Sequence, residues 1–325
     1  MTYETFKKSV VKTLRSRFSP DTAITIHTIP RNNGNTADGL TILEAGKNIA
    51  PTLYLNEYYP SLQGGESFSA LCSRLFSDYH KYRPAENIDA SFFCDFGNVK
   101  ERIVYRLIHR KRNIALLKTL PYIPFLDLAI VFYCLVSTGE SGNATILVTN
   151  PHLSLWQTDK VELLRLAKRN SPFLLSCCCN ELSDFLGKSI SETGEDGRLL
   201  RNADTTSDVP DGSISETDKE LPTFPLSDSI PSPMYLLTNE SRLYGAACIL
   251  YQDLLSDLAD RLSCDLYILP CSVHEVLLLP AREDCTKEHL NAMILDINTK
   301  QLEEGEILSD HAYYYSRKDS KLGAA

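Results

Sequence analysis

No apolar run in this 325-residue chain is long enough for a membrane helix. Such a helix needs ~20 residues, and the most apolar stretch, 128–136, falls well short. The first 18 residues are basic but lack the continuous apolar core of a secretion signal. The ten cysteines include no C-x-x-C pair and no metal-type Cys/His spacing, so they read as reduced thiols packed as small hydrophobes. Several enzyme signatures are missing: G-x-x-x-x-G-K-[ST], G-x-G-x-x-G, H-E-x-x-H and G-x-S-x-G. Their absence weighs against the common nucleotide-dependent, zinc-protease and α/β-hydrolase chemistries. A formal charge of −9 argues against a general polyanion binder, because phosphate neutralisation dominates nucleic-acid affinity. The expectation is a soluble cytoplasmic protein with no membrane contact, cofactor or metal.

What is present is organised around residues 266–280, LYILPCSVHEVLLLP. Two apolar runs, 266–269 and 276–279, flank a polar turn carrying Ser272, His274 and Glu275, and a Pro closes each run. This pattern predicts two core strands joined by a turn near the centre of a sheet. His274 and Glu275 are the one His–carboxylate neighbour pair set between core strands.

The chain divides by composition. Residues 1–84 read as a helix–strands–helix module. An amphipathic helix spans 2–18, with Phe6, Val10 and Leu14 on one stripe and Lys7, Lys8, Lys12, Arg15 and Arg17 on a solvated basic face. Strands follow at 23–28 and 40–43, with His27 structural, and an extended piece at 49–55. A helix capped by Ser67 then runs until Pro84.

A second module comprises 85–186 and 233–317. Phe96, Val99, Ile103 and Leu107 predict a helix ending in the basic cluster 109–112, and 114–118 a turn of helix. Strands at 126–136 and 145–148 form a hairpin about a turn at 139–142. Asp159 with Glu162 has capping-box spacing ahead of a stripe of Val161, Leu164 and Ala167. Residues 174–179 read as a strand or as the approach to a helix at 181–186. Cys177, Cys178 and Cys179 alternate faces on a strand, so packing is expected there and not a metal. Residues 187–232 are rich in Ser, Asp, Glu, Gly, Thr and Pro and read as a disordered acidic insertion. Strands are expected at 234–237 and 245–248, helices at 251–262 and after Thr286, and an edge strand from Ile307 to Tyr315. The tail 318–325 is expected to fray. The fold class is α+β: small mixed or antiparallel sheets packed by amphipathic helices, with one long disordered insertion.

With these segments laid out, the chain resembles an uncharacterised bacterial family, domain of unknown function 5688, found mainly in Gram-positive anaerobes. The residues carrying the resemblance are 48–55 (NIAPTLYL), 99–113 (VKERIVYRLIHRKRN), 126–131 (LDLAIV), 153–170, 243–250, 267–280 and 307–315 (ILSDHAYYY). It covers most of the chain outside 187–232. The order of elements is also similar to that of the YtpQ-like family, an analogy of arrangement alone. Neither resemblance implies a catalytic residue.

Three functions are weighed. The leading one is a binding or interaction module without catalysis, with a protein among its possible partners. A second is an enzyme, hydrolytic if anything, in which His274 acts as base or ligand beside Glu275 and Ser272. A third is nucleic-acid association through the basic faces 7–17 and 109–112, disfavoured by the net charge. Cys271, Cys285 and the pair Asp310–His311 are the remaining groups with ligand chemistry. The bland alternative for His274 and Glu275 is satisfaction of backbone groups at the turn.

Overall fold

Thr2 starts the first helix by accepting the Thr5 amide at its hydroxyl (3.3 Å). Helix α1 (Tyr3–Arg15) then buries Phe6, Val10 and Leu14 completely, as their spacing predicts. In the computed structural model, residues 1–83, 87, 90–137, 144–182, 233–282 and 285–325 are described. They fall into two units, residues 1–94 and residues 95–325. The expected insertion 187–232, the hairpin turn 139–142, Pro84 and residues 183–186 of the expected helix lie outside the described residues.

In the first unit, β1 (Ala23–Pro30), β2 (Thr36–Leu43) and β3 (Thr52–Tyr54) form an antiparallel sheet in that order. Helix α2 (Leu55–Gln63) was not expected, since Pro60 inside it discourages a helical reading; it follows β3 directly. Helix α3 (Phe68–Tyr82) is capped by Ser67 and buries Leu71, Cys72, Leu75 and Tyr79. These side chains join Phe6, Val10, Leu14, Leu40 and Ile42 in one core. Lys7 departs from the expected solvated basic face: its ammonium pairs with Asp38 (2.9 Å) and Glu4 (2.8 Å). His27 is exposed on β1 opposite Gly39. A short helix, α4 (Ala90–Cys94), ends the unit.

The second unit corrects the predicted helix over 96–107. Helix α5 (Phe96–Val99) and a 3₁₀ turn (Lys100–Arg102) are followed by strand β4 (Ile103–His109). Apolar spacing of four misleads here, because all of 103–108 except Arg106 is apolar and buried. A strand covered on both faces shows a continuous run, not a stripe. After helix α6 (Ile114–Leu117) come β5 (Tyr122–Phe125), β6 (Leu128–Ser137) and β7 (Ala144–Leu147). Strand β6 pairs with β4 on one edge, while β5 and β7 share the other. Helices α7 (Asn150–Trp156) and α8 (Lys160–Leu174) follow. Asp159 caps α8 through the amides of Val161 and Glu162. Its buried stripe is Leu163, Leu166 and Ala167; Val161 is 65% exposed, so the expected stripe is rotated.

The larger sheet is antiparallel with order β13-β12-β10-β11-β9-β8. It comprises β8 (Cys177–Glu181), β9 (Tyr235–Asn239), β10 (Leu266–Leu269), β11 (Val276–Pro280), β12 (Tyr313–Ser316) and β13 (Lys321–Ala324). The two apolar runs of 266–280 thus form the central pair, with Leu266 opposite Pro280 and Leu269 opposite Leu277. Two expectations fail. Residues 245–248 belong to a 3₁₀ helix (Gly245–Leu250), and the tail forms β13, so β12 is interior and β13 is the edge. Helix α9 (Leu254–Leu262) follows the 3₁₀ segment. Helix α10 (Lys287–Lys300) is capped by Thr286 and packs Leu290, Ile294 and Ile297 against Leu277 and Leu279. With helices and antiparallel sheets segregated along the chain, the fold class is α+β. Among the described residues, no helix is long and apolar enough to cross a membrane.

Candidate functional site

Pro270 and the central strands set the position of His274. Pro cannot donate to a ladder, so β10 ends at Leu269, and the chain passes through 270–275 before β11 resumes pairing. This connection is itself buried at Cys271, Ser272 and Val273. Its backbone groups are met by the segment 306–309. The Leu308 amide donates to the Cys271 carbonyl (2.8 Å), Ser309 to Pro270 (3.0 Å), and the Val273 amide to Glu306 (2.9 Å). A turn pinned on both sides in this way holds the side chains of His274 and Glu275 in place.

A second loop completes the site. After β9, residues 239–245 fold back against the turn. The Asn239 side chain accepts the Leu243 amide (3.0 Å) and donates to the Leu243 carbonyl (2.8 Å). Two residues here, Arg242 (φ 50°) and Tyr244 (φ 53°), are left-handed without being glycine. Each costs roughly 1–2 kcal/mol of backbone energy. Both serve His274. The Arg242 carbonyl lies 3.1 Å from His274 Nδ1, and the Tyr244 ring stacks on the imidazole at 5.7 Å and 23°. A carbonyl only accepts, so Nδ1 carries the proton in the neutral ring and Nε2 keeps its lone pair. The His274 amide donates to Ser272 Oγ (3.0 Å), and the Thr238 hydroxyl donates to the His274 carbonyl (2.8 Å).

Gly245 makes the close approach possible. A Cβ there would stand 2.1 Å from Thr238 Oγ1 and 2.4 Å from the His274 carbonyl oxygen. Behind Tyr244, the Arg106 guanidinium lies 4.3 Å from its ring and 5.2 Å from that of Tyr133. The Tyr133 and Tyr244 rings are themselves 5.2 Å apart. Strands β4 and β6 therefore buttress the imidazole through one cation and two aromatic rings.

Glu275 is the electrostatic partner. Burial pushes its carboxyl above the ordinary glutamate range, while neighbouring His274, the Ser272 hydroxyl bonded to it and Arg242 act in the opposite direction. Glu306 nearby adds to the upward shift. The site thus holds a carboxyl biased toward its protonated form beside an imidazole with a fixed tautomer.

Of the sequence-predicted residues, Ser272, His274 and Glu275 are brought together. Cys271 is buried, and its thiol is pushed up to about 12 by burial, which removes thiolate character. Cys285 is buried as well. Asp310 and His311 join a different cluster, built on Asp127, His109, Ser309 and Tyr313. In the basic cluster, His109 is buried, its Nδ1 accepts the Arg112 amide (3.2 Å), and burial lowers its proton affinity. Cys177 to Cys179 lie in β8. Among the described residues, no group of three or more His, Cys, Asp or Glu side chains is arranged to hold a metal ion. Sequence reasoning missed Arg106, Tyr133, Arg242, Tyr244 and Gly245. Only Gly245 carries a local signal, as a glycine that permits close backbone approach; Arg and Tyr are residue types that disfavour φ > 0.

A family model described as a family of unknown function (DUF5688) matches residues 3–317. The chain belongs to this family. Membership covers both units and the whole of the His274 site, and agrees with the resemblance carried by 267–280 and 307–315. No curated protein matches the chain, and no solved structure does.

Proposed function

We propose that this member of the DUF5688 family is a binding module that takes a small polar ligand at His274, the ligand donating a hydrogen bond to Nε2. The observation that carries the reading is the fixed imidazole: Nδ1–H is committed to the Arg242 carbonyl, and no hydrogen bond from the described residues is made to Nε2. Two strained residues are spent on orienting this one ring, and unusual backbone conformations concentrate where a fold serves a ligand. The ten cysteines, none in a disulfide, support placing the protein in a reducing, cytoplasmic compartment.

The test is a fragment screen of hydroxyl- and amide-bearing molecules against the full chain, read by ¹⁵N shifts of the His274 ring. Binders should move Nε2 strongly and lose affinity in His274→Phe, which keeps the stack on Tyr244. Fragments that bind His274→Phe as well as the native chain would refute the reading.

Glu275 favours a second reading, an acid–base enzyme. A carboxyl whose proton affinity is raised by burial beside an imidazole acceptor is the pairing that general acid–base chemistry uses. On this reading Nε2 takes a proton from water or a substrate hydroxyl. Hydrolysis of an activated ester panel, lost together in His274→Phe and Glu275→Gln, would support it. Equal rates in all three proteins would exclude it.

A further inference from the structure

Strand β1 of the first unit is an edge of its sheet, paired with β2 alone. It runs for eight residues, AITIHTIP, without a Lys, Arg, Asp or Glu, and its register with β2 is unbroken from Ala23–Leu43 to Pro30–Thr36. Charges, bulges and short length are the devices that usually blunt an edge, and β1 has none of them. Five of its eight residues are exposed.

The phase of the ladder decides which backbone groups face out. The Arg31 amide donates to the Asn35 carbonyl (2.7 Å), and bonded and non-bonded pairs alternate in antiparallel strands. Ala23, Thr25, His27 and Ile29 are then bonded to β2, while Ile24, Ile26, Thr28 and Pro30 turn their backbone groups outward. The far side of β2 agrees: the Asp38 amide, opposite Thr28, turns away from β1 to Asn56 Oδ1 (2.7 Å). Pro30 stands where its missing amide would have faced outward, so the β1–β2 ladder loses nothing. Ile24 is buried, but Ile26 is half-buried and Thr28 exposed. Among the described residues, no bond reaches the amide of Ile26 or Thr28 from outside the strand pair.

A row of cations overhangs this edge. Helix α1 runs along β1: Lys7 Nζ meets Asp38, which also accepts from Thr28 Oγ1, and Arg15 donates to the Thr22 carbonyl (2.7 Å) just ahead of β1. Phe6 faces the other way, its ring 5.3 Å from Tyr59 of α2 and 6.4 Å from Phe68 of α3. With about 100° per helical residue, Lys8, Lys12 and Arg15 project away from α2 and α3, on the side of the open edge. All three are exposed, and among the described residues none makes an ion pair. The acid on that side, Glu4, is paired with Lys7 (2.8 Å).

We propose that β1 is the docking edge for an acidic, extended peptide of a partner protein, which adds to the first sheet as an antiparallel fourth strand with its carboxylates under Lys8, Lys12 and Arg15. The outward backbone groups select an extended chain, and the cations select its charge. The same cations oppose a second copy, because β1–β1 pairing would bring two basic rows together. In an antiparallel pair, the peptide residues bonded to Ile26 and Thr28 carry their side chains on the same face as Ile26, which is the face covered by α1. These are the acidic positions.

The experiment uses the full-length protein and the fluorescein-labelled peptide TEVEVEVT-amide, read by fluorescence polarisation. Binding should be saturable and weaken with salt, and the lysine analogue TKVKVKVT-amide should bind at least about tenfold more weakly. N-methylation of the three glutamates should abolish binding, whereas N-methylation of the three valines, whose amides face solvent, should change it by less than about threefold. Thr28→Pro removes one outward amide and no bond to β2, and should weaken binding at least about tenfold. Thr28→Ala loses the same hydroxyl and should bind as the native chain does. Lys8→Glu combined with Lys12→Glu should remove the preference for the acidic peptide. Absence of saturable binding, equal affinity for the two peptides, binding that survives glutamate N-methylation, or equal affinities in Thr28→Pro and Thr28→Ala would each overturn the proposal. Displacement of the peptide by a tighter-binding oligothymidylate would assign the cations to nucleic acid. A dimer in sedimentation equilibrium that Thr28→Pro dissociates would assign the edge to a second copy. Either result would also overturn it, and none of these outcomes depends on His274.

Discussion

The Tyr313 hydroxyl donates to the Asp127 carboxylate at 2.5 Å, joining residues 186 positions apart in sequence. Asp127 stands in the turn between β5 and β6, directly after left-handed Leu126, and Tyr313 begins β12. The same carboxylate accepts from Ser309 Oγ (3.0 Å), with His311 Nε2 at 3.6 Å and His109 Nε2 at 3.9 Å. One acidic side chain therefore ties the four-stranded sheet to the six-stranded sheet within the second unit. Tyr313 and Ser309 are fully buried, so their hydroxyls have no solvent to fall back on.

Asp127→Ala would strip the acceptor from two buried donors and should cost about 3 kcal/mol, whereas Tyr313→Phe removes one charged hydrogen bond for about 1.5–3 kcal/mol. The double variant should be less destabilised than the sum of the two, since they share a partner. Urea midpoints followed by circular dichroism would measure this. Effects that add to within about 0.5 kcal/mol would show that the two residues are not coupled.

At the candidate site, Gly245→Ala is the sharpest structural test. The added methyl would meet the backbone amide of Asn239 at 2.8 Å as well as the Thr238 and His274 oxygens. Two of these three atoms belong to backbone, so relief requires the loop to separate from the turn. A loss of about 3 kcal/mol or more is expected, together with loss of the fixed His274 tautomer in ¹⁵N spectra. A variant with native stability and tautomer would show that the loop does not press on the turn.

The central hairpin and the capped helices were legible because their signals are local: alternating or continuous apolar runs, Pro punctuation, and Ser, Thr or Asp at N-caps. The placement of His274 and Glu275 in the turn between the two central strands was legible for the same reason. The strained backbone beside them was not. Arg242 and Tyr244 adopt left-handed conformations that their residue types disfavour, and their contacts with His274, Tyr133 and Arg106 come from distant parts of the chain. Strand β4 was misread because burial on both faces erases the contrast between helical and extended periods. The tail 318–325 was misread because an edge strand of only four residues, Lys321–Ala324, with Leu322 its one large apolar side chain, has little periodicity of its own. Its pairing with Tyr313–Ser316 supplies the order.

Glu275 makes the stability of the second unit depend on pH in a definite direction. Burial raises its folded affinity for the proton above the unfolded value of 4.5. Below that value both states are protonated and nothing is lost. As pH rises from there through the raised folded value, ionising the buried carboxyl penalises the folded state, and stability falls. Glu275→Gln has no such charge, so the difference between native and variant should shift in favour of the variant between about pH 4 and pH 8. Chemical denaturation at the two pH values checks this. A native chain that gains on the variant over the interval would reverse the assignment.

The first unit should respond to acid with the opposite sign. Asp38 accepts Lys7 Nζ (2.9 Å) and Thr28 Oγ1 (2.8 Å), and the Lys7 bond is the largest cause of its depressed proton affinity. A depressed carboxylate stabilises the fold above its unfolded value of 3.8, and that increment is lost as pH falls through the lower folded value. The pair is mostly covered, with side chains 19% and 12% exposed, so it lies between a surface bridge and a buried one. Lys7→Met should therefore cost about 1–3 kcal/mol at neutral pH, less than the full penalty of stranding a buried charge. Methionine keeps an apolar stem but not the ammonium, which also lies 5.1 Å from the Tyr3 ring and 2.8 Å from Glu4, so the loss reports all the contacts of the charge. Because the stabilisation needs ionised Asp38, the gap between native and variant should narrow steadily once the solution is more acidic than the unfolded carboxyl. Urea midpoints at neutral pH and near pH 3 would show it. A gap that stays constant with pH would mean that Lys7 contributes packing alone and that its ion pair with Asp38 carries no net stability.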